Sequence, residues 1–450
     1  MKSEANLSKE LIRLQRENSL LKDENFLLEK RVCAKRYKII DAVVDSLYGI
    51  RKKKILNLKK EIREIEQDKN MVKRSIKIGR VDIVNFNFYD WDGKKVFKGG
   101  AERYVYDLAC LMKNMGLKPR IVQCSNNFFK KRFNGIEVIG IGNCSRSSTA
   151  ENSAMLNYFC RDCEFVVASP LELACEIRDI PVIGINHGVN FDGSWNKFGN
   201  NYAGVHDERM AALKNVFSCI CVDTNFINWT RTLDYGLSLK EKYIPNYFDE
   251  NNFKVRKTRR KDDQVVFVYP RRIYEARGYD ITIDAFRHIL AKYNKKVKLN
   301  FVGQIDNEKA GDDLKKIMND FPENVFHSEY KMEEMSNAYK DADVVLIPTK
   351  YCEGTSLSCI EGMASGAVVL VTNVGGLPNL VIDGYNGLVI EPTAEDLKVA
   401  VEKLINDSRL RKKLAENGKK VVKEAFNKKI WEKRWRCEID KIRQKTTESV

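Results

Sequence analysis

Residues 344–371 read VVLIPTKYCEGTSLSCIEGMASGAVVLV. Two short apolar runs without charge, Val344–Ile347 and Ala367–Val371, stand on either side of a helix-length stretch. That is the pattern of a strand, a crossover helix and a parallel strand covered on both faces. Ligands of such a unit gather where the first strand ends. Here that end leads to Glu353 and Glu361, eight residues apart, which bracket a Gly354-Thr355-Ser356 turn and a helix start. Turn N–H groups and hydroxyls at a helix start suit a phosphate. A carboxylate on each side suits hydroxyls flanking that phosphate, because it accepts two hydrogen bonds from a vicinal diol. Ser358 to Glu361 also spells a capping box, which gives Glu361 a purely structural explanation. Glu353 has none.

The same texture extends in both directions. Val265–Tyr269, Leu299–Val302 and Leu388–Ile390 belong with this unit, after a charged connector from Lys254 to Asp263. Before the connector, Val81–Phe86, Arg120–Gln123, Phe165–Ala168, Pro181–Asn186 and Cys219–Val222 read as a second set of buried strands. The expectation is an α/β protein of two doubly wound, Rossmann-like domains, residues 76–253 and 254–450, facing a cleft. The final helices, from Ala394 to about Lys445, close the second domain. Its first strand runs into Arg271-Arg272-Ile273-Tyr274-Glu275-Ala276-Arg277-Gly278, where Arg272 and Arg277 offer bidentate donors to a diphosphate. Solvated surface arginines are the plainer alternative. In the first domain, Gly99 and Gly100 within Lys98-Gly99-Gly100-Ala101-Glu102-Arg103 open a helix and let its backbone approach an anion, unless they form a mere turn.

Taken in order, these motifs resemble the retaining nucleotide-sugar glycosyltransferases of family 4, which have the two-domain GT-B fold. The resemblance runs from about Asp82 to Trp435. It rests on the E-x7-E pair Glu353 and Glu361, and on Arg271 to Gly278 where that family has Gly-Arg-Leu-x-x-x-Lys-Gly. Thr372-Asn373-Val374-Gly375-Gly376-Leu377-Pro378, Asp383-Gly384-Tyr385-Asn386-Gly387 and Pro392 add to it, as do Gly99 to Arg103 and His187 in Asn186-His187-Gly188. The resemblance implies that Arg272 and Arg277 hold the donor diphosphate, Glu361 the ribose hydroxyls and Glu353 the transferred sugar. The amides of Gly354, Thr355 and Ser356 would meet the distal phosphate, Gly100, beside Gly99 in the same candidate binding turn, would back it from the other domain, and His187 would orient the sugar near C6. Arg271 replaces the usual Gly, Arg277 the usual Lys, and Tyr247-Phe248 stands where Gly-Val is common, before Asp249.

The implied reaction moves a hexose, with retention, from a nucleotide diphosphate sugar to a glycan or lipid-linked glycan in cell-surface polysaccharide synthesis. A front-side path, with the leaving diphosphate taking the acceptor's proton, requires no metal and no cofactor. Asp90-Trp91-Asp92 and Asp341-Ala342-Asp343 spell D-x-D, which elsewhere holds a metal–nucleotide, and both read as decoys here. The competing readings are a non-catalytic coiled-coil scaffold with a degenerate transferase body, and a nucleotide-sugar epimerase or hydrolase on the same fold.

The first 75 residues differ from the rest. Leu7, Leu14, Leu21 and Leu28 alternate with Leu11, Asn18, Asn25 and Val32 in a heptad seam with Leu at d. Facing Asn side chains at a satisfy each other in a parallel, in-register pair, so residues 7–32 are expected to form a parallel homodimeric coiled coil. One long helix packing on its own chain is the alternative. Ile39 to Tyr48 follow at helical spacing, then Arg51 to Lys54. From Met1 to Lys77 there are 21 Lys and Arg against 12 Asp and Glu, so +9 of the total +16 resides there. This basic stretch, Lys35 to Lys60, is a candidate contact for an anionic membrane surface, or else a solvated helix. In bZIP proteins the basic helix precedes the zipper, and only six residues precede Leu7, so no nucleic-acid partner is expected.

With 450 residues, 43% hydrophobic and 31% charged, and only 9 Pro, the chain is not of disordered composition. No run approaches the roughly 20 apolar residues of a membrane span, and no signal peptide is evident. The 12 scattered Cys suit a reducing cytoplasm. Cys160-x-x-Cys163 lacks the second pair a structural zinc needs. The expected location is cytoplasmic, at the inner face of the membrane if the basic stretch engages it.

Overall fold

The computed structural model describes residues 13, 76–97, 99–188, 202–250, 253, 264–331 and 334–448. Apart from Arg13, the heptad seam of residues 7–32 lies outside the described residues, as do the basic stretch Lys35 to Lys60 and the connector 254–263.

The first domain is built on β1 (Arg80–Asn85), β2 (Lys118–Gln123), β3 (Phe128–Phe133), β4 (Ile136–Ile141), β5 (Phe165–Ser169), β6 (Val182–Asn186), β7 (Ser218–Cys221) and β8 (Glu241–Tyr243). They form one sheet in the order β3-β4-β2-β1-β5-β6-β7-β8. The second domain has β9 (Val265–Tyr269), β10 (Val297–Val302), β11 (Val325–Ser328), β12 (Val344–Ile347), β13 (Val368–Thr372) and β14 (Leu388–Ile390), ordered β11-β10-β9-β12-β13-β14. All pairings are parallel except the β3–β4 hairpin. The longer helices around the first sheet are α1 (Gly100–Asn114), α2 (Thr149–Phe159), α3 (Tyr202–Asn215) and α4 (Asn225–Leu233). Around the second are α5 (Tyr279–Tyr293), α6 (Glu308–Asp320), α7 (Leu357–Ala364), α8 (Ala394–Asn406) and α9 (Ser408–Ala425), and the last helix is α10 (Lys428–Glu448).

Both sheets are wound outward from their first strand, β1 between β2 and β5, and β9 between β10 and β12. At that reversal the loops leaving neighbouring strands diverge to opposite faces and leave a crevice at the carboxyl ends. The Arg271–Arg277 loop leaves β9 and the Glu353 loop leaves its neighbour β12, so the winding brings together segments some 80 positions apart. All ten anticipated strands are present within a residue or two. Hairpin β3–β4 and edge strands β8 and β11 were not anticipated. For β3 (FFKKRF) exposure explains it, since it faces solvent with Lys130, Lys131 and Arg132 and its apolar alternation is diluted by charge, whereas β4 (IEVIGI) is largely buried and was simply missed.

The sequence-based domain boundaries need one correction. After α9 the chain crosses back beside its first crossing, where the Phe248 N–H donates to the Phe426 carbonyl (2.9 Å) and the Lys428 N–H to the Phe248 carbonyl (3.2 Å). Helix α10 then buries Trp431, Trp435, Ile439 and Ile442 in the core of the first domain, beside Ile83, Tyr104 and Val167. The Trp435 indole donates to the Tyr104 hydroxyl at 2.7 Å. Only the helices up to Ala425 close the second domain. Lys428 pins the double crossing, pairing with Asp107 (3.4 Å) of α1 and Asp249 (3.2 Å) of the first crossing.

Candidate active site

Glu353 is the centre of the site. It is buried, with Oε2 accepting from Arg277 Nη1 (2.6 Å), from the Thr349 hydroxyl (3.0 Å) and from the Arg271 guanidinium. Burial alone would raise its carboxyl, but Arg271 and Arg277 together hold it below the ordinary carboxylate value. Arg277 is buried too, which by itself would favour its neutral form, yet Glu353 raises it further. It is positioned by a turn ending at Gly278, whose φ of 77° and close approach to the Pro348 carbonyl leave no room for a side chain.

Arg272, expected to work with Arg277, does not join this cluster. Its side chain is 60% exposed, 3.5 Å from Asp306, with the guanidinium 5.2 Å from the centre of the Tyr274 ring. Arg271, which the sequence marked only as a departure from a glycine, takes the inner position and also donates to Thr349 (2.5 Å). The two neighbours face opposite ways, Arg271 into the core and Arg272 to solvent. The sequence contains no signal for which faces which way.

Glu361 lies on the first turns of α7. The capping box is not formed: the helix starts after Ser356, whose side chain makes no capping bond, and the Ser358 hydroxyl donates to the Pro270 carbonyl (2.9 Å). Glu361 instead accepts from Arg103 Nη1 of α1 at 2.7 Å and from the Tyr339 hydroxyl at 2.9 Å. Burial raises its carboxyl, with Arg103 and Tyr339 pulling the other way. Arg103 and Tyr339 went unassigned in the sequence, because their contacts bridge 258 and 22 positions respectively.

The turn between the two glutamates touches the opposite domain. A Cβ on Gly354 would stand 2.2 Å from the His187 carbonyl oxygen. The Thr355 hydroxyl donates to the Val222 carbonyl, and the Thr355 carbonyl accepts from Asn246 Nδ2 at 2.5 Å. Ser356 is buried at the start of α7. Gly99 and Gly100 are exposed at the start of α1, where a Cβ on Gly100 would meet Leu357 Cδ1 at 3.0 Å. The N-termini of α1 and α7 therefore abut. His187 follows β6, its Nε2 2.9 Å from the Ser169 hydroxyl and its ring edge-on to Tyr104. Burial pushes its imidazole down to about 4, so it is neutral at physiological pH.

Three of the four D-x-D carboxylates have protein partners: Asp90 accepts from the Lys94 and Lys95 N–H groups, Asp92 from Asn126, and Asp343 from the Val266 N–H. Among the described residues no group of His, Cys, Asp and Glu has the arrangement of a metal site, and no helix is long and apolar enough to cross a membrane.

Solved structures share this architecture. The protein superposes on sucrose-phosphate synthase from Thermosynechococcus elongatus with a TM-score of 0.65 at 15% identity, over 82% of this chain and 100% of that one. It superposes on Anabaena HepE, solved in complex with UDP and glucose, with a TM-score of 0.62 at 16% identity, over 80% and 99%. The fold is thus the two-domain α/β plan of GT-B glycosyltransferases. Residues 250–421, which span most of the second domain, match the family described as glycosyl transferases group 1. The chain is 32% identical to the uncharacterized glycosyltransferase MJ1178 of Methanocaldococcus jannaschii over 225 residues (46% of this chain, 59% of that one). It is 29% identical over 208 residues to the capsular polysaccharide biosynthesis glycosyltransferase CapM of Staphylococcus aureus (46% and 54%). The matched region spans somewhat more than half the length of these curated relatives.

Proposed function

We propose that the protein is a retaining, metal-independent glycosyltransferase that moves a hexose from a nucleotide diphosphate sugar to a glycan or lipid-linked glycan acceptor in cell-surface polysaccharide synthesis. The observation that carries this reading is the convergence of Arg271 and Arg277 on Glu353 at the start of α7, opposite the Gly99-Gly100 start of α1. Two guanidinia and two helix N-termini form a site for a multiply charged anion. Glu353 and Glu361 add acceptors for sugar and ribose hydroxyls on either side of it. The UDP and glucose held by HepE, a protein of the same fold, support a nucleotide sugar as that anion.

In the transfer, the bond from the sugar's anomeric carbon to the diphosphate breaks while the acceptor oxygen bonds to that carbon on the same face. The acceptor's proton passes to the departing phosphate oxygen. The charge growing on the diphosphate is what Arg271, Arg277 and the exposed Arg272 stabilise, together with the Gly354 to Ser356 amides. His187, being neutral, orients the sugar and transfers no proton. Residues 7–32 pair two chains, and Lys35 to Lys60 hold them at the anionic cytoplasmic face of a membrane.

Thermal stabilisation by a panel of nucleotide sugars tests the donor class. Assays on the stabilising donor should then give a product of retained anomeric configuration, with activity that survives EDTA. Glu361→Ala should weaken donor binding, while Glu353→Ala should mainly lower kcat. An inverted product, or activity lost to EDTA and restored by manganese, would overturn the mechanism. Donor hydrolysis that ignores added acceptor would favour a hydrolase.

A further inference from the structure

Glu361 is not open to a ligand. Tyr339 holds one of its oxygens from within the second domain, and Arg103 holds the other from the first. Arg103 is the fourth residue of α1, one turn from the Gly99-Gly100 start that abuts Leu357 of α7. Its guanidinium lies 5.9 Å from the Phe253 ring centre, beside the two helix N-termini that the proposed function assigns to the diphosphate. The charges are arranged in the same sense. Glu353 is shared by Arg271 and Arg277, one negative charge for two positive, and Glu361 pairs with Arg103, so each of these buried or half-buried guanidinia has an internal carboxylate as partner.

We propose that Arg103 is a donor-binding residue that the donor exchanges between partners: it occupies Glu361 in the donor-free protein and turns to the diphosphate when the ribose diol takes Glu361. This rests on the reading of Glu361 as the ribose acceptor. The exchange leaves neither group without a hydrogen-bond partner, because the guanidinium leaves a carboxylate only for a phosphate and the carboxylate leaves a guanidinium only for a pair of hydroxyl donors. It also couples the donor to the interdomain contact, since Arg103 and Glu361 belong to opposite domains. A nucleoside without phosphates would have to break the ion pair with no anion to offer Arg103, and so would bind poorly. The diphosphate therefore contributes to specificity twice, by its own contacts and by releasing Glu361.

The test compares binding of uridine and of UDP to the full-length chain by calorimetry, for the wild type and for Arg103→Gln, Arg103→Lys and Glu361→Gln. Arg103→Gln should bind uridine at least as tightly as the wild type, and the ratio of UDP to uridine affinity should fall about ten- to a hundredfold, the value of one charge-assisted hydrogen bond. Arg103→Lys, which keeps the charge, should recover part of the UDP affinity. Uridine and UDP weakened by the same factor in both Arg103 variants would make Arg103 a mere interdomain clamp and overturn the exchange. Glu361→Gln with wild-type uridine affinity would instead overturn the ribose reading of Glu361. Should the wild type ignore UDP, GDP with guanosine and ADP with adenosine replace it, and no binding of any of these would overturn the nucleotide-sugar reading itself.

Discussion

Replacing Glu353 by Gln keeps the shape and one acceptor oxygen but removes the negative charge on which Arg271 and Arg277 converge. Breaking a buried ion pair from one side costs about 3–5 kcal/mol, because it leaves the other charge desolvated. Arg271 would retain Thr349, and Arg277 would retain the Cys352 carbonyl at 2.9 Å, so the lower end, about 3 kcal/mol, is expected. In a domain of this size each kcal/mol moves Tm by about 2–4 °C, so the second domain's transition should fall by about 6–12 °C in scanning calorimetry. Inorganic pyrophosphate should then stabilise Glu353→Gln more than the wild type, since it supplies the missing anion to the same guanidinia. The difference between the proteins should also depend on pH. The folded-state value of Glu353 lies below its ordinary one, so its contribution is fully present above the ordinary carboxylate range and fades as pH falls through the lower folded value. An unchanged Tm at pH 7, or equal pyrophosphate stabilisation of both proteins, would refute the view of Glu353 as the counter-ion of the anion site.

Three further outcomes are expected. Burial depresses His187 from its ordinary value to about 4, so the unfolded chain binds the proton more readily and stability falls as pH drops from 6.5 towards 4, by up to about 3 kcal/mol; His187→Asn should flatten that segment of a denaturation-versus-pH profile, and an unaltered slope would count against a buried neutral imidazole. Trp435→Ala should cost the first domain about 3–5 kcal/mol through the cavity it leaves and the lost bond to Tyr104, leaving the second domain's transition in place, and the reverse pattern would show that α10 belongs to the second domain after all. Deleting residues 1–36 should turn a dimer into a monomer by light scattering, while the full-length chain should float with anionic but not neutral liposomes in a salt-sensitive way; the same oligomer before and after deletion, or flotation indifferent to lipid charge, would remove the roles proposed for the heptad seam and the basic stretch.

Much of the fold was legible in the sequence because of how parallel sheets are buried. Strands such as Val265–Tyr269 and Val344–Ile347 are covered on both faces, so they must be apolar throughout, and a continuous apolar run can be recognised from local sequence alone. The turn at Gly354 and the Glu353–Glu361 spacing were legible for a similar reason: strand, loop and helix start are consecutive, and the chemistry lies within nine residues. Elements whose character depends on distant partners were not. The amphipathic pattern of α10 shows an apolar stripe but not which domain covers it, and the chain's second crossing beside Phe248 decides that. Arg271 and Arg272 are chemically equal neighbours, and only the course of the loop after β9 sends one to Glu353 and leaves the other in solvent. Arg103 acquires its meaning from Glu361, 258 residues away, because two separately folded sheets present their helix N-termini to one cleft. Short-range pattern reports burial, which every residue carries in its own side chain; pairing across the cleft is a property of the closed chain path, and it exists only once both domains are folded and joined.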